Sequence, residues 1–174
     1  MKWLIASDLH GSETCCKRLL DAFDREGADR LLLLGDILGH GQSDDAVANM
    51  LNGRKDAIRC VQGNCDTLLD QEKLAFPMKA GYDIFPVVSG VMMFVTHGHI
   101  YNGENRPDSM RKGDILIHGH THVPATDQRA DFYCFNPGSV SLPRWGSERS
   151  YMTLENGVFL WKTLDGIEYR RYEL

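Results

Sequence analysis

Five short apolar runs recur along this chain, and each stops at a polar residue flanked or followed by glycine. "KWLIASDLHG" runs into Asp8 and His10, "RLLLLGD" into Asp36, and "AIRCVQGN" into Asn64. "VMMFVTHGH" runs into His97, and "DILIHGHTH" into His118, His120 and His122. Near-continuous apolar runs of this length suit strands buried on both faces. Between the first three runs lie helix signals. Ser12 is placed to cap a helix reaching about Glu26, with Cys16, Leu19, Leu20 and Phe23 on one face and Gly27 as the stop. Ser43 is placed to cap a second helix, with Asp44 and Asp45 in its first turn and Gly53 beyond it. Residues 1–64 therefore read as β-α-β-α-β, which implies parallel strands joined by right-handed crossovers.

The remainder reads differently. "DIFPVVSGVMMFVT" has the pattern of a hairpin around Ser89-Gly90, while Asn156-Gly157 and Asp165-Gly166 separate three strand-like segments. Asn-Gly and Asp-Gly are strong hairpin signals, so the C-terminal part reads as an antiparallel meander. A parallel half and an antiparallel half together predict two packed mixed sheets flanked by helices, a four-layer α/β/β/α sandwich. With 174 residues and no repeat or linker, residues 1–174 are expected to form one domain.

In a parallel α/β sheet the carboxyl ends of the strands share the edge where ligands bind. Here those ends carry Asp, His, Asn and His-x-His, and five of the seven histidines fall in "THGH" (96–99) and "HGHTH" (118–122). A lone His or Asp at a strand end usually packs or caps. Seven metal-competent residues in that position favour a metal centre, because neutral imidazole is the commonest protein metal ligand. In Asp8-x-His10 and His120-x-His122 the two side chains of an extended segment point the same way. Asp8, His10, Asp36, Asn64, His97, His120 and His122 are too many ligands for one ion. They suit two ions if a carboxylate bridges. Two divalent ions would outweigh the two carboxylates, and the surplus positive charge favours a phosphate anion and acidifies bound water.

"DLH" (8–10), "GD" (35–36), "GN" (63–64), "THGH" (96–99) and "GHTH" (119–122) resemble the ordered signature of the calcineurin-like metallophosphoesterases. "FNPGS" (135–139) is similar to a segment of that family's small bacterial and archaeal phosphodiesterase subgroup. The resemblance spans nearly the whole chain. It implies one metal at Asp8, His10, Asp36 and His122, a second at Asp36, Asn64, His97 and His120, and Asp36 as the bridge. It also implies the α/β/β/α fold and a metal-bound hydroxide, not a protein side chain, as nucleophile in phosphodiester hydrolysis. The mixed nitrogen and oxygen donors suit Mn, Fe, Co, Ni or Zn, and the resemblance favours two manganese ions. Other His-rich hydrolase patterns fail on residues. A metallo-β-lactamase site would need His-x-His-x-Asp-His where this chain has Thr121-His122-Val123, and an amidohydrolase site would need His-x-His where it has Asp8-x-His10.

The chain departs from the wider pattern at residue 65. Many family members carry His after Gly-Asn, where it is taken to assist the leaving group; this chain reads "GNCD", with Cys65. A thiol of ordinary pKa about 8.5 is a poorer proton donor than imidazolium near neutral pH. Cys65 and His99 are the candidate substrate contacts, and His99 is alternatively a support for His97. His40 is a further loop candidate, His118 is expected to turn away from the centre, and Arg144 reads as an exposed arginine within reach of a phosphate.

A net charge of −5 with only short basic clusters argues against a duplex nucleic-acid surface. No apolar run is long enough for a signal peptide or spanning helix. Five cysteines, two adjacent, with no C-x-x-C pair, point to reduced thiols and a cytoplasmic location. The expected partner is a small phosphodiester, with homo-oligomerisation left open. Two other readings stay open: a phosphomonoesterase, and a catalytically weak interaction scaffold like a eukaryotic retromer subunit of the same fold.

Overall fold

The computed structural model describes residues 1–39, 41 and 44–174. Its elements run β1 (Trp3–Ala6), α1 (Glu13–Glu26), β2 (Arg30–Leu33), α2 (Asp44–Asn52), β3 (Ile58–Val61), α3 (Leu68–Lys73) and β4 (Met78–Lys79). They continue with β5 (Tyr82–Pro86), β6 (Met92–Thr96), β7 (Ile115–Ile117), β8 (Ala125–Gln128), β9 (Tyr133–Asn136), β10 (Ser150–Glu155), β11 (Val158–Thr163) and β12 (Glu168–Glu173). The expected helix over 13–26 is capped as its sequence demands: Ser12 Oγ accepts the Cys15 amide, and Gly27 adopts the left-handed conformation that closes the helix. The proposed Ser43 cap and His40 lie outside the described residues.

Two mixed sheets pack face to face. One has the order β12-β11-β10-β1-β2-β3-β4 and the other β5-β6-β7-β9-β8. The two-layer sandwich follows from a period-two division of each buried strand. Leu4, Ala6, Leu31 and Leu33 face a cluster with Leu19, Phe23, Val47 and Leu51 of α1 and α2. Their neighbours Ile5, Leu32 and Leu34 face the second sheet through Val95, Ile117 and Phe135. On that sheet's far side, Phe94, Leu116 and Cys134 pack with Met110 and Phe132 from the intervening segments.

The chain partitions between the sheets differently from the expected parallel and antiparallel halves. The meander β10–β12 extends the first sheet: β10 pairs antiparallel with β1, Leu4 opposite Thr153. Burial explains this, because Met152, Leu154, Phe159 and Trp161 complete the intersheet core beside Ile5. The second sheet comes from the middle of the chain, with β6, β7 and β9 parallel to one another. The hairpin turns are as expected: Ser89-Gly90 and Asn156-Gly157 all have positive φ, the geometry of a type I′ turn. All five cysteines are free thiols. No described helix is long and apolar enough to cross a membrane.

The register aligns the carboxyl ends of β1, β2 and β3 on one edge and those of β6, β7 and β9 on the facing edge. Within each edge the loops are tied together: the Gly119 amide donates to His97 O at 2.8 Å, and the His10 amide to Asp36 O at 2.9 Å. The two edges meet across the sandwich, where the His120 amide donates to Asp8 Oδ2 at 3.0 Å.

Candidate metal centre

Each candidate ligand sits just past a strand, where the chain must turn sharply. Asp8, His10, Asp36, His120 and His122 all hold φ between 46° and 66°, the left-handed region that side chains with a Cβ rarely enter. Such strain costs about 1–3 kcal/mol per residue and persists only where the surroundings over-determine it. Two glycines admit the close approach. A Cβ on Gly63 would overlap the Asp36 amide and carboxylate, and one on Gly119 would overlap Ser7 Oγ.

The donor atoms converge on a common space. His122 Nδ1 lies 2.6 Å from Leu142 O, and His97 Nδ1 lies 2.7 Å from Leu34 O. A carbonyl only accepts, so both rings carry their hydrogen on Nδ1 and turn Nε2 inward. His122 Nε2 lies 3.2 Å from Asp8 Oδ1 and 3.3 Å from His10 Nε2. Asp8 Oδ1 is buried and has no hydrogen-bond partner. On the other side, His97 Nε2 lies 3.0 Å from Asn64 Oδ1, 3.2 Å from His120 Nδ1 and 3.4 Å from Asp36 Oδ2. Asp36 Oδ2 also lies 3.7 Å from His10 Nε2, so this one oxygen faces both groups.

This packing of lone pairs fits cations. Donor atoms of Asp8, His10 and His122 lie within 4.8 Å of one another, as do those of Asp8, Asp36 and His97. The orphaned Asp8 oxygen is the clearest sign, since a buried carboxylate oxygen without a partner is costly unless a positive charge meets it.

The electrostatics agree. Asp8 raises the affinity of His122 for a proton, more than burial lowers it. Burial lowers that of His97, but Asp36 and Asp8 outweigh it and the net shift is upward. His10 and His120 shift downward, chiefly through burial. Burial works against ionisation of Asp36, yet His97 and the Cys65 amide hold its carboxyl well below the usual range.

The structure thus gathers all seven expected residues. Asp8, Asp36, His97 and His122 are buried, His10 is half-buried, and Asn64 and His120 face solvent, giving the centre an open side. Cys65 joins it: its sulfur lies within 4.8 Å of donor atoms of His10 and Asp36, and Asn64 Nδ2 approaches it at 3.3 Å. Burial, then Asp36, pushes its thiol up to about 11. His99 is exposed at the rim, its ring 5.4 Å from that of His97. His118 is buried, with Nδ1 3.0 Å from Gly119 O. Arg144 is exposed, and its amide donates to His122 O at 3.2 Å.

Sequence reasoning missed the residues that hold these loops. Asp66 is buried and accepts the amides of Asp36 and Gly63 on Oδ2 and of Ile37 on Oδ1, at 2.7–2.8 Å. Ser139 and Ser141 both donate to Asp8 O, at 2.8 and 2.9 Å. Asn136 donates to Gly119 O at 2.8 Å and to Thr121 Oγ1 at 3.1 Å. "FNPGS" was the available signal for the last group: it ties the Asp8 loop to the His120 loop.

Residues 1–157 match the calcineurin-like phosphoesterase superfamily domain. The chain belongs to this superfamily. Within it, the chain is 40% identical over 166 residues to the phosphodiesterase YfcE of Escherichia coli K12, covering 91% of this chain and 89% of that one. It is 27% identical over 168 residues to the probable metallophosphoesterase YsnB of Bacillus subtilis, covering 90% and 86%. The solved structure of the E. coli phosphoesterase YfcE superposes with a TM-score of 0.92 at 37% identity, over 99% of both chains. Zinc-bound Vps29 of Entamoeba histolytica superposes at 0.61 with 18% identity, over 99% of both chains, a likeness of fold alone.

Proposed function

We propose that this superfamily member is a metal-dependent phosphodiesterase acting on a small substrate. In this reading Asp8, His10, Asp36 and His122 hold one divalent ion, and Asp36, Asn64, His97 and His120 hold the second. The observation that carries it is the convergence of ligand atoms: buried Asp8 Oδ1 lies 3.2 Å from His122 Nε2, and Asp36 Oδ2 faces both His10 and His97. The similarity to YfcE supports a diester as substrate.

When bound, the ions supply Lewis acidity toward the phosphoryl oxygens and acidify water. The chain's own residues do the rest. Leu34 O and Leu142 O fix the tautomers of His97 and His122, so both rings offer Nε2 without reorganisation. Asp36 keeps one oxygen on the Cys65 amide, at 2.8 Å, and turns the other to the centre. Cys65 stays a neutral thiol near pH 7, a weak proton donor to a departing alkoxide. The preferred substrates therefore carry acidic leaving groups. His99 stands at the open rim, placed to touch the substrate rather than an ion.

The test uses an activated aryl phosphodiester and its monoester counterpart. The protein is stripped of metal and assayed with and without Mn²⁺, then with Fe²⁺, Co²⁺, Ni²⁺ and Zn²⁺, beside Asp36→Asn. Metal-dependent diester turnover lost in the variant supports the reading. Faster monoester turnover would make the protein a phosphomonoesterase. Tight metal binding without turnover on either ester would overturn the reading and leave a metal-bound scaffold.

A further inference from the structure

A phosphodiester carries two organic groups, and two hollows lie near the candidate centre, one lined by Asn64 itself and the other by Val123, the neighbour of His122. One, about 360 Å³, is lined by Asn64, Gly81, His99 and Ile100 beyond the ends of β3 and β6. The other, about 450 Å³, lies between Val123, Pro124, Trp145 and Tyr169. The second hollow sits on the same sheet edge as the ligands. Ser150, at the start of β10, pairs with Thr163 at the end of β11, while Met152 pairs with Ile5 just before the Asp8 turn. It also adjoins the centre through the backbone: Val123 follows His122, Leu142 O holds the His122 ring, and the Arg144 amide holds His122 O.

Two side chains here, Trp145 in the wall and its neighbour Arg144, take no part in the packing of the fold. Trp145 is 91% exposed, whereas Trp3 and Trp161 are buried. It also holds φ at 57°, a strained conformation for a bulky side chain. Solvent exposure of a large aromatic ring on a strained turn is not explained by packing. The Arg144 guanidinium makes no hydrogen bond or ion pair among the described residues, unlike Arg18, Arg54, Arg106 and Arg129. An unpaired guanidinium one residue from an exposed indole suits an aryl phosphate, with fork hydrogen bonds for the anion and a π-surface for the ring.

Building on the phosphodiesterase reading, we propose that the Trp145–Tyr169 groove receives an aromatic or other planar ester group of the substrate, while Arg144, between Trp145 and the His122 loop in the backbone hydrogen-bond pattern, takes a non-bridging phosphate oxygen. The substrate class narrows accordingly to diesters with at least one planar arm, a nucleoside or aryl group. The Asn64–His99 hollow takes the second arm.

The probes are phenylphosphonate and methylphosphonate, which share the anion and resist hydrolysis. They are titrated into the Mn²⁺-loaded protein by calorimetry and by tryptophan fluorescence, which Trp145 dominates among solvent-accessible indoles. Phenylphosphonate should bind about tenfold more tightly, as one stacked ring is worth, and should alter the exposed-indole emission. In Trp145→Ala the two phosphonates should bind alike. Arg144→Ala should weaken both by about tenfold, with partial recovery in Arg144→Lys. Equal binding of both probes to the wild type, or a phenyl preference that survives Trp145→Ala, overturns the groove. The same holds if an aryl diester is turned over but Trp145→Ala leaves the aryl-to-alkyl ratio of KM unchanged; the phosphodiesterase reading then stands without it. A phenyl preference without turnover of any diester keeps the groove and removes the phosphodiesterase reading.

Discussion

The Asp66 carboxylate accepts the backbone amide of Asp36 at 2.8 Å, so one buried acid fixes the position of another that no helix or strand contains. The same carboxylate accepts from Ile37 and Gly63, and thereby clamps the loop after β2 to the loop after β3. Asp66→Ala would leave three buried amides without acceptors. We expect it to cost about 3–5 kcal/mol in urea unfolding. Mn²⁺ affinity should fall by about 10–100-fold, as for other groups that orient ligands. Stability lost with Mn²⁺ affinity intact would show that Asp66 serves the fold only.

Gly63 is the counterpart on the β3 side. Its φ is unexceptional, but a methyl group there would occupy the space of the Asp36 amide and carboxylate. Gly63→Ala should therefore displace Asp36 and abolish stabilisation by Mn²⁺, while the α1 side of the core stays intact. The check is the Mn²⁺-induced rise in melting temperature. At a metal concentration a hundred times Kd, binding adds about 2.7 kcal/mol in the wild type, and the variant should gain almost none.

Metal affinity should depend on pH from a point above the ordinary imidazole range. Asp8 and Asp36 raise the proton affinity of His122 and His97, so in metal-free protein these rings remain protonated to higher pH than a free imidazole. A proton and a metal ion compete for the same Nε2. As pH falls from 8, Mn²⁺ affinity should already decline before about 6.5, the ordinary histidine value. Calorimetry across that range checks both the slope and the protons released; an affinity flat down to about pH 6 would contradict the raised values.

Helix α1 and the candidate ligand positions were legible because each carries a local signal: a Ser12 cap, a Gly27 stop, polar residues ending apolar runs. The allocation of strands was not. β10 joins β1 because Met152 and Leu154 match the intersheet core, a long-range fact that no turn signal encodes. Helix α3 went unread although Thr67 and Asp70 form a capping box, because its six residues are too few for a hydrophobic period to emerge. At the centre, residue type and strand position picked out the seven residues that the fold brings together. The loop clamps Asp66, Ser139 and Ser141 stayed hidden, since an acid or serine serving backbone amides or carbonyls looks like any polar loop residue.

Away from the centre, Glu26 links the end of α1 to the meander. Its carboxylate takes Lys162 Nζ at 2.8 and 2.9 Å, Lys2 Nζ at 2.9 Å and the Tyr151 hydroxyl at 2.8 Å. Burial alone would raise its pKa, but Lys162, Lys2 and Tyr151 reverse this and bring it down to about 2 from 4.5. A depressed carboxyl stabilises the fold above its unfolded value and ceases to do so as pH falls through the folded value. Glu26→Gln should cost about 2–3 kcal/mol at pH 7, allowing for partial solvent screening. The difference from wild type should shrink between pH 4.5 and 2. Urea unfolding of the two proteins across that window gives the answer, and a constant difference would mean the cluster's charge does not matter.

Cys65 sits where an imidazole would complete the centre, beside His10 and Asp36 yet exposed enough to admit a larger side chain. With its thiol pushed up to about 11, it offers little proton to a leaving alkoxide near neutral pH. An aryl leaving group does not need that proton, and an alkyl one does. Cys65→His should therefore raise turnover of alkyl diesters by about 10²-fold or more, the usual contribution of a positioned general acid, and leave activated aryl diesters nearly unchanged. In a plot of log kcat/KM against leaving-group pKa, the variant should have the shallower slope. Parallel lines, with every ester accelerated or slowed equally, would mean that residue 65 shapes the pocket and moves no proton.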